Sequence, residues 1–412
     1  MSKVQELLPL PLGEGGGEGG GLGEGAISEA GWPSPQSSLR GRGGNAEPVS
    51  ERKGNAEPSL SEKRSEAEPT QGARYRGAFE RGGAATPRLS VVIPTYKRPE
   101  LLRRCLDAVL AQQLPPEAFE IIVVDDGHDD CTRAAVEALA AAHPGGPALR
   151  YLRPAQGRGP AIARNCGWRA GFGALVVFTD DDTIPAPGWL ASGERAMAEG
   201  GLSGLCGRVQ VPCADPRRRP TDHERMTRGL ETAEFVTANA FVRRNALVRI
   251  GGFDERFQRA WREDSDLQFR LMDECGPVGR CEEAVVQHPV RLERWGVCLR
   301  QQRNAYFDAL LYKKHPQRYR QRIRRVPPWN YYLIVALALA TPLLLLAGQA
   351  SAAITAALLA GAFVLHLAAQ RLRHTALTPE HIGEMLLTSA LIPFLSVYWR
   401  LRGAIHFRAA FL

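Results

Sequence analysis

The sequence predicts an α/β fold: a mostly parallel sheet flanked by helices, followed by a C-terminal transmembrane helical hairpin. Three observations predict it. From Leu89 onward, β-branched apolar runs alternate with stretches of helical periodicity, the pattern of a parallel sheet covered on both faces. Two of these runs, Phe119-Glu-Ile-Ile-Val-Val-Asp-Asp126 and Ala174-Leu-Val-Val-Phe-Thr-Asp-Asp-Asp182, stop abruptly at carboxylates. Near the C-terminus, Tyr331–Ala347 and Ala350–Ala369 contain no Lys, Arg, Asp or Glu.

Residues 1–88 are expected to be a disordered, low-complexity extension. Gly13 to Gly25 is nearly all Gly and Glu, and the remainder is rich in Pro, Ser, Glu and Arg. Such a segment buries too little apolar surface to offset its ordering entropy. Its loose repeat, Gly44-Asn-Ala-Glu-Pro, Gly54-Asn-Ala-Glu-Pro and Ser65-Glu-Ala-Glu-Pro, is too short for a solenoid unit. Leu7–Leu12 is short, interrupted by prolines and preceded by a single basic residue, Lys3, which does not fit a signal peptide.

Residues 89–290 are expected to form the sheet domain. The strand Leu89–Tyr96 leads to a helix that opens at Pro99, a favoured first-turn position. Leu101, Leu102, Cys105, Leu106, Val109 and Leu110 follow helical spacing. Next come the strand ending at Asp126, an Ala-rich helix over Thr132–His143, the strand Leu149–Leu152, a helix over Pro160–Ala170 and the strand ending at Asp180. Beyond it lie the strand Leu205–Val211, a polar loop over Ala214–Glu224, the turn Gly251-Gly-Phe-Asp254, a helix opening at Arg262-Glu-Asp-Ser-Asp266 and a strand over Ala284–His288.

Residues 291–328 form a basic juxtamembrane segment. Trp295, Leu299, Tyr306 and Leu310 share a helical stripe, which suits either an amphipathic helix on a membrane surface or a helix packed on the sheet domain. The hairpin is assigned to residues 329–370, since a span needs roughly 20 apolar residues. Lys and Arg crowd Lys313–Arg325 and recur at Arg371 and Arg373, while the turn at Gly348-Gln349 has none. The positive-inside rule then puts both hairpin ends, and the sheet domain, on the cytoplasmic side of a multi-pass inner-membrane protein. Residues 371–412 are a basic tail, in which Met385–Tyr398 is expected to be a short interfacial or re-entrant element.

The net charge of +8 fits anionic partners. No zinc-finger, RNP-like or KH-like motif is present, so a nucleic-acid partner is not expected. The eight cysteines form no Cys-x-x-Cys pair, which argues for reduced thiols rather than a disulfide or zinc framework.

In an open α/β sheet, ligands bind beyond the carboxyl ends of the strands. The triplet Asp180-Asp181-Asp182 there suits a hard divalent cation, Mn²⁺ or Mg²⁺, although a run of aspartates is also a common solvated turn. Asp125 and Asp126 can accept hydrogen bonds from a base or ribose; Asp125 can equally cap the following turn. The Gly-containing loop Gln156–Asn165 enters a helix and suits an anion, with Arg158 and Arg164 as phosphate partners or as solvated side chains. Glu263-Asp264 opens a helix, which fits either a general base or an ordinary helix-terminal carboxylate. His288 is a further candidate metal ligand or a core histidine. The P-loop ending, the Rossmann fingerprint, His-Glu-x-x-His and a Ser-His-Asp ordering are all absent. What remains is metal-assisted transfer from a diphosphate donor.

Ser90-Val-Val-Ile-Pro-Thr-Tyr-Lys-Arg98, Val124-Asp-Asp-Gly127, Gly159-Pro-Ala-Ile-Ala-Arg-Asn165, Thr179-Asp-Asp-Asp182 and Glu263-Asp264, in this order, resemble family 2 glycosyltransferases of the GT-A fold. The resemblance implies that Pro94, Thr95 and Tyr96, with Asp125 and Asp126, line a nucleotide pocket. Arg164 would sit by the base or diphosphate, and Arg158, Asp181 and Glu263 beside the substrates. Asp180 and Asp182 would hold the metal with His288, and Asp264 would deprotonate the acceptor hydroxyl for an inverting displacement. Trp189, Asn239 and Trp261 match positions near sugar or acceptor. Two departures matter. His128-Asp129-Asp130 replaces the commoner Ser-Thr-Asp, and Arg291-Leu-Glu-Arg-Trp295 lacks the Gln of the processive synthases' Gln-x-x-Arg-Trp. The implied protein is a non-processive transferase moving sugar from a nucleotide-sugar, expected to be UDP-linked, to a cell-envelope glycan or glycolipid at the membrane. The alternatives are a catalytically silent nucleotide-sugar-binding scaffold and a sugar nucleotidyltransferase.

Overall fold

A computed structural model describes residues 86–411, apart from 214 and 216. The expectations for the N-terminal extension up to residue 85 lie outside the described residues.

Among the described residues, eight strands form one sheet: β1 (Leu89–Thr95), β2 (Phe119–Asp125), β3 (Ala148–Leu152), β4 (Leu175–Thr179), β5 (Ile184–Pro185), β6 (Gly204–Gln210), β7 (Asn239–Arg243) and β8 (Val278–Gln287). Their order is β3-β2-β1-β4-β7-β6-β8-β5. The first four strands pair in parallel, as the alternating pattern predicts. The second half is mixed: β7 runs antiparallel to β4 and β6, and β5 antiparallel to β8. Parallel register brings Thr95 level with Asp125, so the carboxyl ends of β1, β2 and β4 open on one edge.

Successive strand residues face opposite sides. Val92, Ile122, Val124 and Phe178 pack on one face with Trp168 and Phe253. Val91, Ile93, Ile121 and Val177 pack on the other with Leu102, Leu106 and Trp189. Helices cover both faces: α1 (Pro99–Leu110), α2 (Asp130–Ala142), α3 (Pro160–Ala170), α4 (Trp189–Glu199), α5 (Asp222–Thr227), α6 (Arg244–Ile250) and α7 (Glu263–Glu274). Helix α2 starts earlier than its Ala-rich stretch suggests, because the Asp129 carboxylate accepts from the Thr132 N–H at 3.0 Å. The end of the expected polar loop winds into α5, where Thr221 and Glu224 form a reciprocal capping box.

After the sheet domain come α8 (Val297–Gln301), α9 (Ala305–Lys314) and α10 (Pro316–Arg322). The stripe from Trp295 to Leu310 is therefore not one surface helix. Leu310 and Phe307 are buried in a cluster with Phe257 and Phe269 of the sheet domain, so α9 is a packed helix.

Three apolar helices end the chain: α11 (Trp329–Leu346), α12 (Ala350–Leu372) and α13 (Pro379–Phe407). The first two form the expected hairpin. The third differs from the expected short element: it is one helix of 29 residues that continues through Pro393. By length and composition all three could cross a membrane. Arg371, buried near the end of α12, donates to Asp222 at 2.7 Å and to Thr388 and Ser389 of α13 at 2.7 and 3.0 Å. The hairpin base is thus tied to the sheet domain through a buried charge pair.

Candidate active site

The carboxyl ends of β1 and β4 border a crevice of about 910 Å³, lined by Pro94, Tyr96, Asp126, Arg158, Asp180 and Asp182 among others. A second cavity, of about 280 Å³, is lined by Trp261, Glu263, Asp264, His223 and Met226. Arg164, Asp180, His288 and Arg291 line both.

The acidic triplet turns tightly after β4: the Asp180 carbonyl accepts from the Thr183 N–H at 3.2 Å and from its hydroxyl at 2.7 Å. The turn separates the three carboxylates. Asp181 points inward, accepting from the Thr95 hydroxyl at 2.8 Å and pairing with Arg98 at 3.1 Å. Burial pushes its carboxyl up to about 6, against the pull of Arg98. Thr95 and Asp181 thus bond to each other at the wall of the larger crevice, which both line.

Asp180 and Asp182 meet His288 instead. One ligand atom from each of the three lies within 4.8 Å of the others. His288 reaches this place because β5, directly after the triplet, pairs with the end of β8, Ile184 opposite Gln287. Its Nε2 is 3.5 Å from Asp182, and its buried Nδ1 has no hydrogen-bond partner among the described residues. Two carboxylates and an imidazole are a fitting donor set for a divalent cation. Arg291 reaches Asp182 at 2.9 Å, and Arg98 lies 3.8 Å from it. Sequence reasoning gave neither arginine a role, although Arg98 stands in the first motif and Arg291 three residues after His288.

Asp125 does not face the crevice. It is buried and accepts from the Gly127 and Asp129 N–H groups at 2.8 and 2.6 Å and from the Tyr151 hydroxyl at 2.6 Å. In this position it caps the turn after β2. Asp126 does reach the crevice, and it fixes the loop before α3 by accepting from the Gly159 N–H at 2.9 Å. Gly159 has φ of 128°, and a Cβ there would sit 3.2 Å from the Gln258 carbonyl.

Arg164 is buried at the border of the two cavities. It donates to Asp180 at 2.7 Å and to Glu263 at 3.0 Å, joining the metal-type cluster to the start of α7. Burial and the neighbouring Asp264 push the Glu263 carboxyl up to about 8, while Arg164 holds it down. Burial also raises the Asp264 carboxyl, opposed by the Ser265 N–H that donates to it at 2.6 Å and by Arg262 and Arg164. Two adjacent carboxyls in such a setting titrate as a pair.

The start of α7 is strained. Arg262 takes a left-handed φ of 73°. It is held there by Asp308 of α9, which accepts from the Arg262 Nε at 2.7 Å and from the Trp261 indole at 3.0 Å. Both members of the Arg262–Asp308 pair are buried. Asp308→Ala would leave a buried guanidinium unpaired, so it is expected to cost about 3–5 kcal/mol, read as a lowered Tm. Activity should fall with it, because Asp264 sits two residues past Arg262.

Trp189 and Asn239 do not join the site. Trp189 is fully buried against Phe241, and its indole donates to the Asn239 side chain at 2.8 Å. Asn239 in turn donates to the Arg208 and Ala284 carbonyls. This is a core pair that pins β7 to β6 and β8, and neither residue lines either cavity. Trp261 does line the second cavity.

The family model described as glycosyl transferase family 2 matches residues 90–257, and that of glycosyl transferase family group 2 matches residues 175–369. The glycosyltransferase AglE of Haloferax volcanii is 28% identical over 40% of this chain and 56% of its own. The validoxylamine A glucosyltransferase of Streptomyces hygroscopicus subsp. limoneus is 30% identical over 45% of this chain and 48% of its own. The pre-mycofactocin glycosyltransferase of Mycobacterium tuberculosis is 28% identical over 50% of this chain and 43% of its own. The chain thus spans about half the length of these curated relatives. A solved mannosyltransferase from Pyrobaculum calidifontis, in complex with GDP-Man and Mn²⁺, aligns over 77% of this chain and 88% of its own, with a TM-score of 0.49 and 22% identity.

Proposed function

The chain belongs to family 2 of the glycosyltransferases, and from that premise we propose that it transfers a sugar from a nucleotide-sugar to an acceptor hydroxyl at a membrane surface, with inversion. The observation that carries this reading is the meeting of two cavities at Asp180, His288 and Arg164, with Asp264 on the smaller side only. The larger crevice accommodates the donor, UDP-linked in our reading. Asp126, Tyr96 and Arg158 are its proposed contacts with the nucleotide. The smaller cavity accommodates the acceptor, a cell-envelope glycan or glycolipid, between Trp261 and Asp264.

Asp180, Asp182 and His288 would hold a divalent cation, Mn²⁺ or Mg²⁺, whose chemistry is to offset charge on the leaving diphosphate. Asp264 takes the proton from the acceptor hydroxyl. The acceptor oxygen bonds to the anomeric carbon as the bond from that carbon to the phosphate oxygen breaks, and the electron pair leaves with the nucleoside diphosphate. Attack opposite the leaving group inverts the configuration. The basic flanks of the hairpin support a cytoplasmic sheet domain in a multi-pass inner-membrane protein.

The test gives full-length protein in proteoliposomes a panel of labelled UDP-, GDP- and dTDP-sugars with a membrane glycolipid extract. Transfer of label is expected, with loss on chelation and recovery with Mn²⁺ or Mg²⁺. Metal-dependent nucleotide binding without transfer would mark a silent scaffold, and release of pyrophosphate from a nucleoside triphosphate and a sugar phosphate would mark a nucleotidyltransferase. The pH profile adds a second check. Asp264 must be ionised to act, and its carboxyl is raised, so activity falls with pH sooner than an ordinary aspartate would require. An acid limb in the ordinary aspartate range would contradict this.

A further inference from the structure

Helix α13 meets the membrane criterion of length, yet both of its ends are fastened to the sheet-domain side of the molecule. Near its start, Glu384 accepts from the Gly296 N–H at 2.8 Å, just before α8. Near its end, Gly403 packs so closely on Tyr306 of α9 that a Cβ would sit 2.4 Å from the Tyr306 carbonyl. The Phe407 carbonyl accepts from Lys313 at 2.7 Å, and the Phe411 and Tyr319 rings, the latter on α10, meet edge to face. From Glu384 to Phe407 the helix rises about 35 Å, a length comparable to a hydrocarbon core of about 30 Å. If α13 crossed, residues 296–313 would have to cross beside it. They carry Arg300, Arg303 and Lys313, all exposed, and through α9 they are packed on Phe257 and Phe269 of the sheet domain. Charges of this kind are strongly disfavoured in the bilayer centre.

The two faces of α13 also differ. Met385, Thr388, Ile392, Ser396, Arg400 and Gly403 are buried toward the protein. Leu387, Leu391, Phe394, Tyr398, Leu401 and Ile405 recur at alternate spacings of four and three and are exposed, between 38% and 78%. This stripe adjoins the apolar hairpin, since α12 and α13 pack together through Arg371, Thr388 and Ser389. Exposed Arg402 and Arg408 lie at its C-terminal end, where anionic headgroups would meet them.

We propose that α13 is not a third span: it lies in the plane of the membrane, with its Leu387–Ile405 stripe sunk into the acyl–headgroup boundary of an anionic leaflet. Its other face carries the sheet domain, while α11 and α12 alone cross. This rests on the membrane-anchored reading above, specifically on the hairpin as a true pair of spans. It sets the acceptor cavity at a fixed height over the leaflet, because α9 bears both α13 and the Asp308 that holds Arg262.

The test uses the full chain in sealed vesicles containing phosphatidylglycerol, oriented with the sheet domain outward. One protease-cleavable tag is inserted at Gly348-Gln349 and another is appended at the C-terminus. The expected result is cleavage of the C-terminal tag and protection of the turn tag. A protected C-terminal tag with a protected turn tag overturns the proposal alone. A cleaved turn tag overturns the hairpin and the proposal together. A fluorescent non-natural residue at Leu387, Phe394 or Ile405, quenched by nitroxide lipids of graded depth, supplies the second reading. Equal, shallow depths at all three positions support the in-plane helix; a depth gradient with Phe394 near the bilayer centre overturns it.

Discussion

Asp264→Asn is expected to abolish sugar transfer while leaving the donor bound. The substitution keeps the shape of the side chain and its acceptance of the Ser265 N–H, so α7 should still start where it does. What disappears is the ability to take a proton. General-base catalysis contributes about 10²–10⁴-fold, and the turnover should fall by that factor. Donor affinity should hold, because Asp264 lines the smaller cavity and not the donor crevice. The measurement is kcat and the donor KM in parallel, on protein whose thermal unfolding matches the parent. A loss confined to donor KM would assign Asp264 to binding instead.

The second large effect is expected at Arg164. This guanidinium bridges Asp180 and Glu263, which lie 16 and 99 residues away in sequence. Arg164→Met removes the positive charge from between the buried Glu263 and the half-buried Asp180, and leaving a buried carboxylate without its partner costs about 3–5 kcal/mol. Arg164→Lys separates charge from geometry. A lysine is a point charge on a flexible stem and cannot present the two-pronged fork that spans both carboxylates. It should recover part of the stability but little of the rate, since displacement of a reacting group by about 1 Å can cost 10²-fold. Full rate in Arg164→Lys would show that the bridge does not position the site.

The parts of this site that local sequence reveals are those whose chemistry is set by neighbours along the chain. Asp180 and Asp182 stand after an apolar strand, and Asp264 stands at a helix start; each of these placements follows from periodicity and strand ends. The sheet was legible for the same reason in its parallel half, where strand and helix alternate. Its mixed half was not, because β7 and β5 are short and their direction depends on pairing with β4 and β8 far along the chain. Side-chain partners across such distances explain the remaining differences. Asp125 matched a nucleotide-binding position by motif, yet the backbone of its own turn and Tyr151 of β3 occupy its oxygens. Trp189 and Asn239 each resemble a substrate contact when taken singly; paired, they satisfy each other's polar atoms in the core. For Arg164 the local sequence shows the motif but not the Glu263 that it meets 99 residues on. The strained Arg262 could not be foreseen either, since Asp308, which stabilises it, belongs to a helix after the sheet domain.

In the proposed mechanism Asp180, Asp182 and His288 form one cation site where the two cavities meet. Its most direct test is a manganese titration of the full-length protein followed by electron paramagnetic resonance, with and without UDP, GDP or dTDP. A single class of bound Mn²⁺ is expected, tightened by one of these nucleotides, lost together with that tightening in Asp180→Ala and Asp182→Ala and weakened in His288→Ala. Mn²⁺ and nucleotide binding that persist unchanged in all three variants would contradict it.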